Sequence, residues 1–279
     1  MSARVLIAGC GDVGLRVAQR LRARGDTVWA LRRSMARPDD GGIQWLQGDL
    51  TRPASLRELP AGITHLVYLP TPDARDAAAY RAVFVDGLRH LFDALDAGAL
   101  QRVLLVSSSA VYGEHGDAWV NEETPPDPPG FNGATLLEAE HWLLAQPVSS
   151  VVLRLAGLYG PGRLQLIERL RAATVRVPRE TAHWANRIHV DDAAAAIVHL
   201  LSLAHPMSLY LGVDDTPLPL HVLYDQLASL AGAPMPDEGA SPPGVGSKRL
   251  SNARLRASGF APQWPDARDG YAALLQRGV

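Results

Sequence analysis

Gly9-Cys10-Gly11-Asp12-Val13-Gly14 follows directly on the apolar run Arg4-Val5-Leu6-Ile7-Ala8. A G-x-G-x-x-G between a strand and a helix is built to hold phosphates. Gly9 permits the tight turn, Gly11 lets the backbone approach a pyrophosphate, and Gly14 lets helix and strand pack closely. The helix then turns its free N–H groups and positive dipole end toward the anion. These six residues are therefore expected to bind a dinucleotide. Roughly 20 residues past such a loop, a chain that prefers NAD carries Asp or Glu for the ribose hydroxyls. Here Leu31-Arg32-Arg33 holds that place, with Arg37 nearby. A guanidinium forks onto a 2′-phosphate, so Arg32 and Arg33 predict NADP over NAD.

A cradle of this kind works at the carboxyl ends of parallel strands. Apolar runs at Val5–Ala8, Thr27–Leu31, Gln44–Gln47, Thr64–Leu69, Arg102–Val106 and Val151–Leu155 read as those strands. Val13, Val17 and Leu21 share one helical face, opposite Arg16, Arg20 and Arg24, and Gly25 stands where a C-cap belongs. Longer helical patterns run from Asp73 to Gly98 and from Asn132 to Gln146. Alternation of this sort predicts an α/β chain with a Rossmann-type, doubly wound parallel sheet and a smaller C-terminal substrate lobe. The dinucleotide domain is expected over 1-163, with 186-213 returning to it. Residues 164-185 and 214-279 are expected to make the lobe, where Leu164–Ala173 and Leu220–Ala231 read as helices. Between these, Asp191–Ala204 reads as a buried helix and Ser208–Val213 as a strand.

Composition narrows the function. A formal net charge of -2 offers no grip on a phosphate backbone, so no nucleic acid is expected as a partner. The longest apolar stretch, Ala193 to Ala204, is shorter than a membrane span and is broken by His199. The one cysteine, Cys10, excludes an internal disulfide and argues for a reducing, cytoplasmic setting. No C-x-x-C, H-E-x-x-H or clustered histidines suggest a metal site, and no G-x-S-x-G elbow accompanies Ser107 to Ser109. The acidic pair Asp191-Asp192 reads as a helix cap.

Further segments narrow the family. Gly48-Asp49-Leu50, "VFVDGLRHLFDAL" from Val83, "RVLLVSSSAVYG" from Arg102, "LRLAGLYGPGR" from Leu153 and "NRIHVDD" from Asn186 form one set. Together they resemble the extended branch of the short-chain dehydrogenase/reductase superfamily, the nucleotide-sugar epimerases and dehydratases. The resemblance implies that Asp49 and Leu50 lie near the adenine and that Leu69, Pro70 and Ser107 line the cofactor. It also implies a small-molecule substrate, often a sugar nucleotide, oriented by Ser108, and a homodimer paired through helices.

Family catalysis adds Tyr-x-x-x-Lys, with the tyrosine as acid/base and the lysine lowering its pKa. That pair is missing. Matching Glu140 to the family's following Glu puts Asn132 in the tyrosine place and Leu136 in the lysine place. A one-residue slip gives Phe131 and Thr135. The sequence holds one lysine, Lys248, far from this helix. Asn132 can hydrogen-bond a substrate but cannot shuttle a proton near neutral pH. Tyr112, His115, His141, Tyr159 and His189 are the remaining proton carriers, Tyr159 and His189 in segments that border the substrate cleft of relatives. Each also has a bland reading, Tyr112 as a packing residue of its turn, His141 as a solvated helix residue and His189 as a strut ahead of Asp191 and Asp192, and Arg154 reads as structural. Two functions follow: an NADP-preferring oxidoreductase or epimerase-like enzyme, or a non-catalytic NADP(H)-binding sensor or scaffold.

Overall fold

The computed structural model describes residues 2–34 and 41–276. Its contacts divide the chain into two units, one of residues 1–111, 130–154 and 194–210, the other of 112–129, 155–193 and 211–279. Arg37 lies outside the described residues.

The first unit opens with β1 (Arg4–Ala8), α1 (Asp12–Ala23), β2 (Thr27–Arg32), β3 (Gln44–Gln47) and β4 (His65–Tyr68). A broken helix follows: α2 (Ala77–Tyr80), a π-helical stretch Arg81–Asp86, and α3 (Gly87–Ala94). Then come β5 (Arg102–Ser108), α4 (Phe131–Leu144) and β6 (Ser149–Leu155). Further along the chain lie α5 (Gln165–Arg171), α6 (Val190–Ser202), β7 (Leu209–Gly212), α7 (Leu220–Ala231), α8 (Ala253–Ala257) and α9 (Ala267–Gln276). The seven strands form one sheet in the order β7-β6-β5-β4-β1-β2-β3. β1 pairs in parallel with β2 on one side and β4 on the other, so the strand order reverses beside the glycine loop. This is the Rossmann arrangement, and its switch point is where ligands bind.

Local chemistry explains these elements. Val13, Val17 and Leu21 are buried along α1 at helical spacing. α1 ends as a Schellman turn, with Gly25 N–H on the Arg22 carbonyl and Asp26 N–H on that of Leu21. The helical pattern expected from Asp73 starts later, at Ala77, because the Asp76 carboxylate accepts the Ala79 N–H and caps the helix there. The π-helical turn was not foreseen. Tyr68, fully buried at the end of β4, donates its hydroxyl to the Val83 carbonyl within that turn. At the far end of β5, the Arg102 guanidinium donates to the carbonyls of Leu201 (2.9 Å) and Leu203 (2.6 Å), closing the carboxyl end of α6.

The second unit has its own core of Tyr159, Ile167, Leu170, Leu223, Leu227, Tyr271 and Leu274 among others. The boundary expected at 163/164 falls inside this unit, because Gly157–Tyr159 pairs in parallel with Arg187–His189. Asp191 and Asp192, expected as a helix cap, stand in the first turn of α6. Helix α6 begins before them, and the Asp192 carboxylate accepts the N–H groups of Gln263 (2.8 Å) and Trp264 (2.9 Å), anchoring a loop 71 and 72 residues away.

Asp214 is buried just past β7, its carboxylate accepting the Thr216 N–H at 3.3 Å. Burial, reinforced by the negative charges of Asp266 and Asp215, pushes its pKa up to about 8. Between the ordinary carboxylate range and that value, the folded chain holds a proton that the unfolded chain releases. Stability is then fully present at acid pH and falls as pH rises toward 8, by at most about 1.4 kcal/mol per pH unit. Asp214→Asn should flatten that slope, which urea midpoints for both proteins at pH 5, 7 and 9 will measure. Parallel curves would refute the assignment.

Candidate functional site

The glycine loop spends its first N–H groups on the end of β2 and on its own turn. Gly9 and Cys10 both donate to the Leu31 carbonyl, at 3.1 and 3.2 Å, and Gly11 donates to the Gly9 carbonyl. Leu15 to Gly11 is the first helical bond of α1, so the first-turn N–H groups face out of the helix end. No side chain caps that end. Gly9 has φ +84°, and a Cβ there would meet Pro70 Cα at 2.3 Å, so the turn after β4 presses directly on it. A Cβ at Gly11 would find only the Gly9 carbonyl oxygen, at 4.0 Å. Space therefore stands open on the side where a pyrophosphate must come, and the residues fit a dinucleotide.

Other loop side chains turn away from this task. Cys10 is buried under the loop, and Asp12 pairs with Arg16 one turn on, at 3.0 Å. Val13 is buried on the sheet side of α1. Leu69 N–H continues the sheet onto the Ala8 carbonyl, which fixes Pro70 against Gly9. Asp49 accepts the Thr51 N–H and hydroxyl, at 2.9 and 2.8 Å. Partial burial opposes ionisation of Asp49, but these bonds and the charges of Arg52 and Arg33 outweigh it and hold the carboxyl below its usual range. Leu50 is buried, and its carbonyl contacts the His90 ring at 2.9 Å. Of the two arginines, Arg32 lies over the Trp45 ring at 5.9 Å. Arg33 makes a two-pronged ion pair with Asp73, Nη2 to Oδ1 at 2.5 Å.

At the end of β5, neighbouring serines part company. Ser107 was expected beside the cofactor; it is buried, and its hydroxyl donates to Glu140 Oε1 at 2.5 Å. Glu140 also takes the Arg154 guanidinium, Nη2 to Oε2 at 2.6 Å, with both side chains buried. Arg154 is structural, as its position suggested. Ser108 is only half-buried, and its oxygen accepts the Ala110 N–H at 3.2 Å. Its own proton remains available to a substrate oxygen.

Helix α4 carries the place of the missing pair. Gly133, Leu136, Glu140 and Leu143 are buried along one stripe, so Leu136 sits one turn before the anchored Glu140. Leu136 fills its position with buried aliphatic volume, and no ammonium group can stand there. Asn132 is half-buried at the amino end of α4, its Oδ1 folded back toward Gly130. Sequence spacing gave no reason to consider Tyr80. In the fold its ring meets Phe131 edge-on, with centroids 5.3 Å apart, and packs on Phe84 at 5.4 Å. Only the tertiary packing of α2 on α4 could have revealed it.

Three other candidates, Tyr112, Tyr159 and His189, belong to the second unit and are packed into its structure. Tyr112 is fully buried and donates its hydroxyl to the Asn121 carbonyl at 3.0 Å, with the His115 ring 6.4 Å away. Tyr159 is enclosed in the core, stacked on Tyr271 at 4.4 Å. Burial, before any neighbouring charge, drives its phenol well above the ordinary range. Neither tyrosine can serve a substrate proton from these positions. His189 is buried, accepts the Asp191 N–H on Nδ1 at 3.1 Å, and packs against Tyr159 and Trp264. Lys248 is buried too, its Nζ donating to the carbonyls of Gly246 (2.9 Å) and Gly113 (3.4 Å). Burial lowers its pKa. His141 is exposed.

Among the described residues, no group of three or more His, Cys, Asp or Glu could hold a metal ion. No helix there is long and apolar enough to cross a membrane.

Comparison with known proteins converges on one group. The model of the NAD dependent epimerase/dehydratase family matches residues 5–209. A solved protein from Methylobacillus flagellatus, classed with NAD-dependent epimerases and dehydratases, is 44% identical with a TM-score of 0.82, covering 99% of each chain. MoeE5 in complex with UDP-glucuronic acid and NAD is 25% identical with a TM-score of 0.83, covering 99% of this chain and 100% of that one. The 3-diazoavenalumate denitrifying reductase of Streptomyces sp is 28% identical over 301 residues, covering 96% of this chain and 98% of its own.

Glu140→Gln keeps the size of the side chain but strands a buried guanidinium. It should destabilise the chain by about 3–5 kcal/mol in urea unfolding. Adding Arg154→Met should recover part of that loss, because the uncompensated charge goes with it. A double variant as unstable as the sum of the two single ones would show that the pair is not coupled.

Proposed function

Because the chain belongs to the NAD dependent epimerase/dehydratase family, we propose that it is an NAD(P)-binding oxidoreductase or epimerase-like enzyme. Its substrate is small and polar or nucleotide-sugar-like, and it prefers NADP. The observation that carries this reading is the cradle at the switch point: an uncapped helix end, an open face at Gly11, and Pro70 locking the turn at Gly9. UDP-glucuronic acid and NAD bound to MoeE5, and the reductase activity named for the Streptomyces relative, support the cofactor and the substrate class. Arg32 and Arg33 at the end of β2 support the preference for a 2′-phosphate.

When bound, the nicotinamide supplies hydride chemistry. The chain supplies position. Ser108 holds its hydroxyl proton toward a substrate carbonyl or alcohol, while Ala110 N–H fixes the serine oxygen. Asn132 offers an amide to the same substrate from the start of α4. With Leu136 buried in the lysine place, no cation there depresses a neighbouring acid. Tyr80, beside Phe131, is the phenol that can stand in for the family tyrosine.

The second reading, an NADP(H)-binding sensor without turnover, is favoured by Leu136 alone. Loss of a positioned acid/base costs about 10²–10⁴ in rate, and a sensor has no use for one.

One experiment tests the cofactor reading that both share, and a second separates enzyme from sensor. Calorimetric titration with NADP, NADPH, NAD and NADH should give the tightest binding for the phosphorylated forms. Arg32→Ala/Arg33→Ala should weaken NADP by about tenfold or more and NAD far less. Equal losses for both cofactors would remove the proposed preference. With a substrate in hand, Ser108→Ala should cut turnover by about 10²-fold or more while cofactor affinity holds. Indifference to that change would favour the sensor.

A further inference from the structure

The ion pair of Arg33 and Asp73 joins residues 40 positions apart. Arg33 follows the last residue of β2, and Asp73 lies five residues beyond the end of β4. Those strands flank β1 on either side, so the pair joins the segments that follow the two strands beside the glycine-loop strand. Both terminal nitrogens of the guanidinium are engaged by the two carboxylate oxygens. That end-on fork is one of the arrangements in which a guanidinium grips a phosphate, and here the carboxylate fills it. Arg32 points elsewhere, over Trp45. Asp49 adds a second negative charge within reach of Arg33.

We propose that Asp73 limits the preference of this chain for NADP, by competing with the 2′-phosphate for the fork of Arg33. The inference rests on the cofactor reading above and deepens it. An incoming 2′-phosphate must displace one carboxylate and approach another, whereas NAD brings only neutral hydroxyls to the same place. Asp73 therefore holds the affinity for phosphorylated dinucleotides below what two adjacent arginines would otherwise give. The pair is exposed, with Arg33 at 54% and Asp73 at 70% side-chain accessibility, so its effect is modest and screened by salt.

The test is calorimetric titration of the full chain with NADP and NAD, and with 2′,5′-ADP and 5′-AMP, which lack the nicotinamide. Asp73→Asn should tighten NADP and 2′,5′-ADP by about three- to tenfold and leave NAD and 5′-AMP within about twofold. The gain should shrink as salt is raised. Asp73→Glu, which keeps the charge, should behave as the native chain. If Asp73→Asn leaves the NADP to NAD ratio unchanged while Arg33→Ala still weakens NADP, the inference falls and the arginine reading stands. If neither change alters any of the four affinities, both fall.

Discussion

Glu140 holds the first unit in register. Its carboxylate accepts hydrogen bonds from the Ser107 hydroxyl at the end of β5 and from the Arg154 guanidinium on β6, so one buried side chain on α4 is tied to two strands. A buried carboxylate and guanidinium are costly to desolvate, and the cost is met only when every bond is well made. The helix therefore has one permitted rotation and one permitted depth. That rotation puts Leu136 on the buried stripe and brings the start of α4 beside Tyr80. What α4 can do chemically is decided eight residues away from where the chemistry would occur.

The same constraint shows why the sheet was legible in the sequence and parts of the site were not. The seven strands and the helix after the glycine loop announce themselves through short apolar runs and a 3.6-residue rhythm, because burial on one face is a local pattern. The π-helical turn at Arg81–Asp86 has no such pattern; it goes with a tyrosine hydroxyl from another strand reaching the Val83 carbonyl. Ser107 and Ser108 are identical in sequence and adjacent, and only the position of Glu140 separates a structural residue from a candidate one. Tyr159 followed a family segment to a plausible place in a cleft, yet the second unit closes its core over it. The partner of Arg33 was hidden for a simpler reason: nothing in a charge pattern links residue 33 to residue 73.

Cofactor binding and acid/base chemistry make different demands on a chain. Gly9, Gly11 and Pro70 keep the backbone geometry that a dinucleotide requires, and backbone geometry depends on few side chains. Acid/base catalysis depends on side-chain identity, and one turn before Glu140 helix α4 carries a packed leucine. Leucine at 136 adds apolar contact where a lysine would have had to hold its ammonium group near a ligand.

Lys248 gives the molecule an unusual surface chemistry. The sequence's sole lysine is buried and bonded to two carbonyls, while the other 26 strongly basic side chains are arginines. Guanidinium groups stay protonated at any biological pH. The cationic part of the folded surface is thus nearly fixed. Enzymes that acetylate or ubiquitinate lysine side chains find no exposed substrate on the folded chain, and the ε-amine becomes a reporter of unfolding.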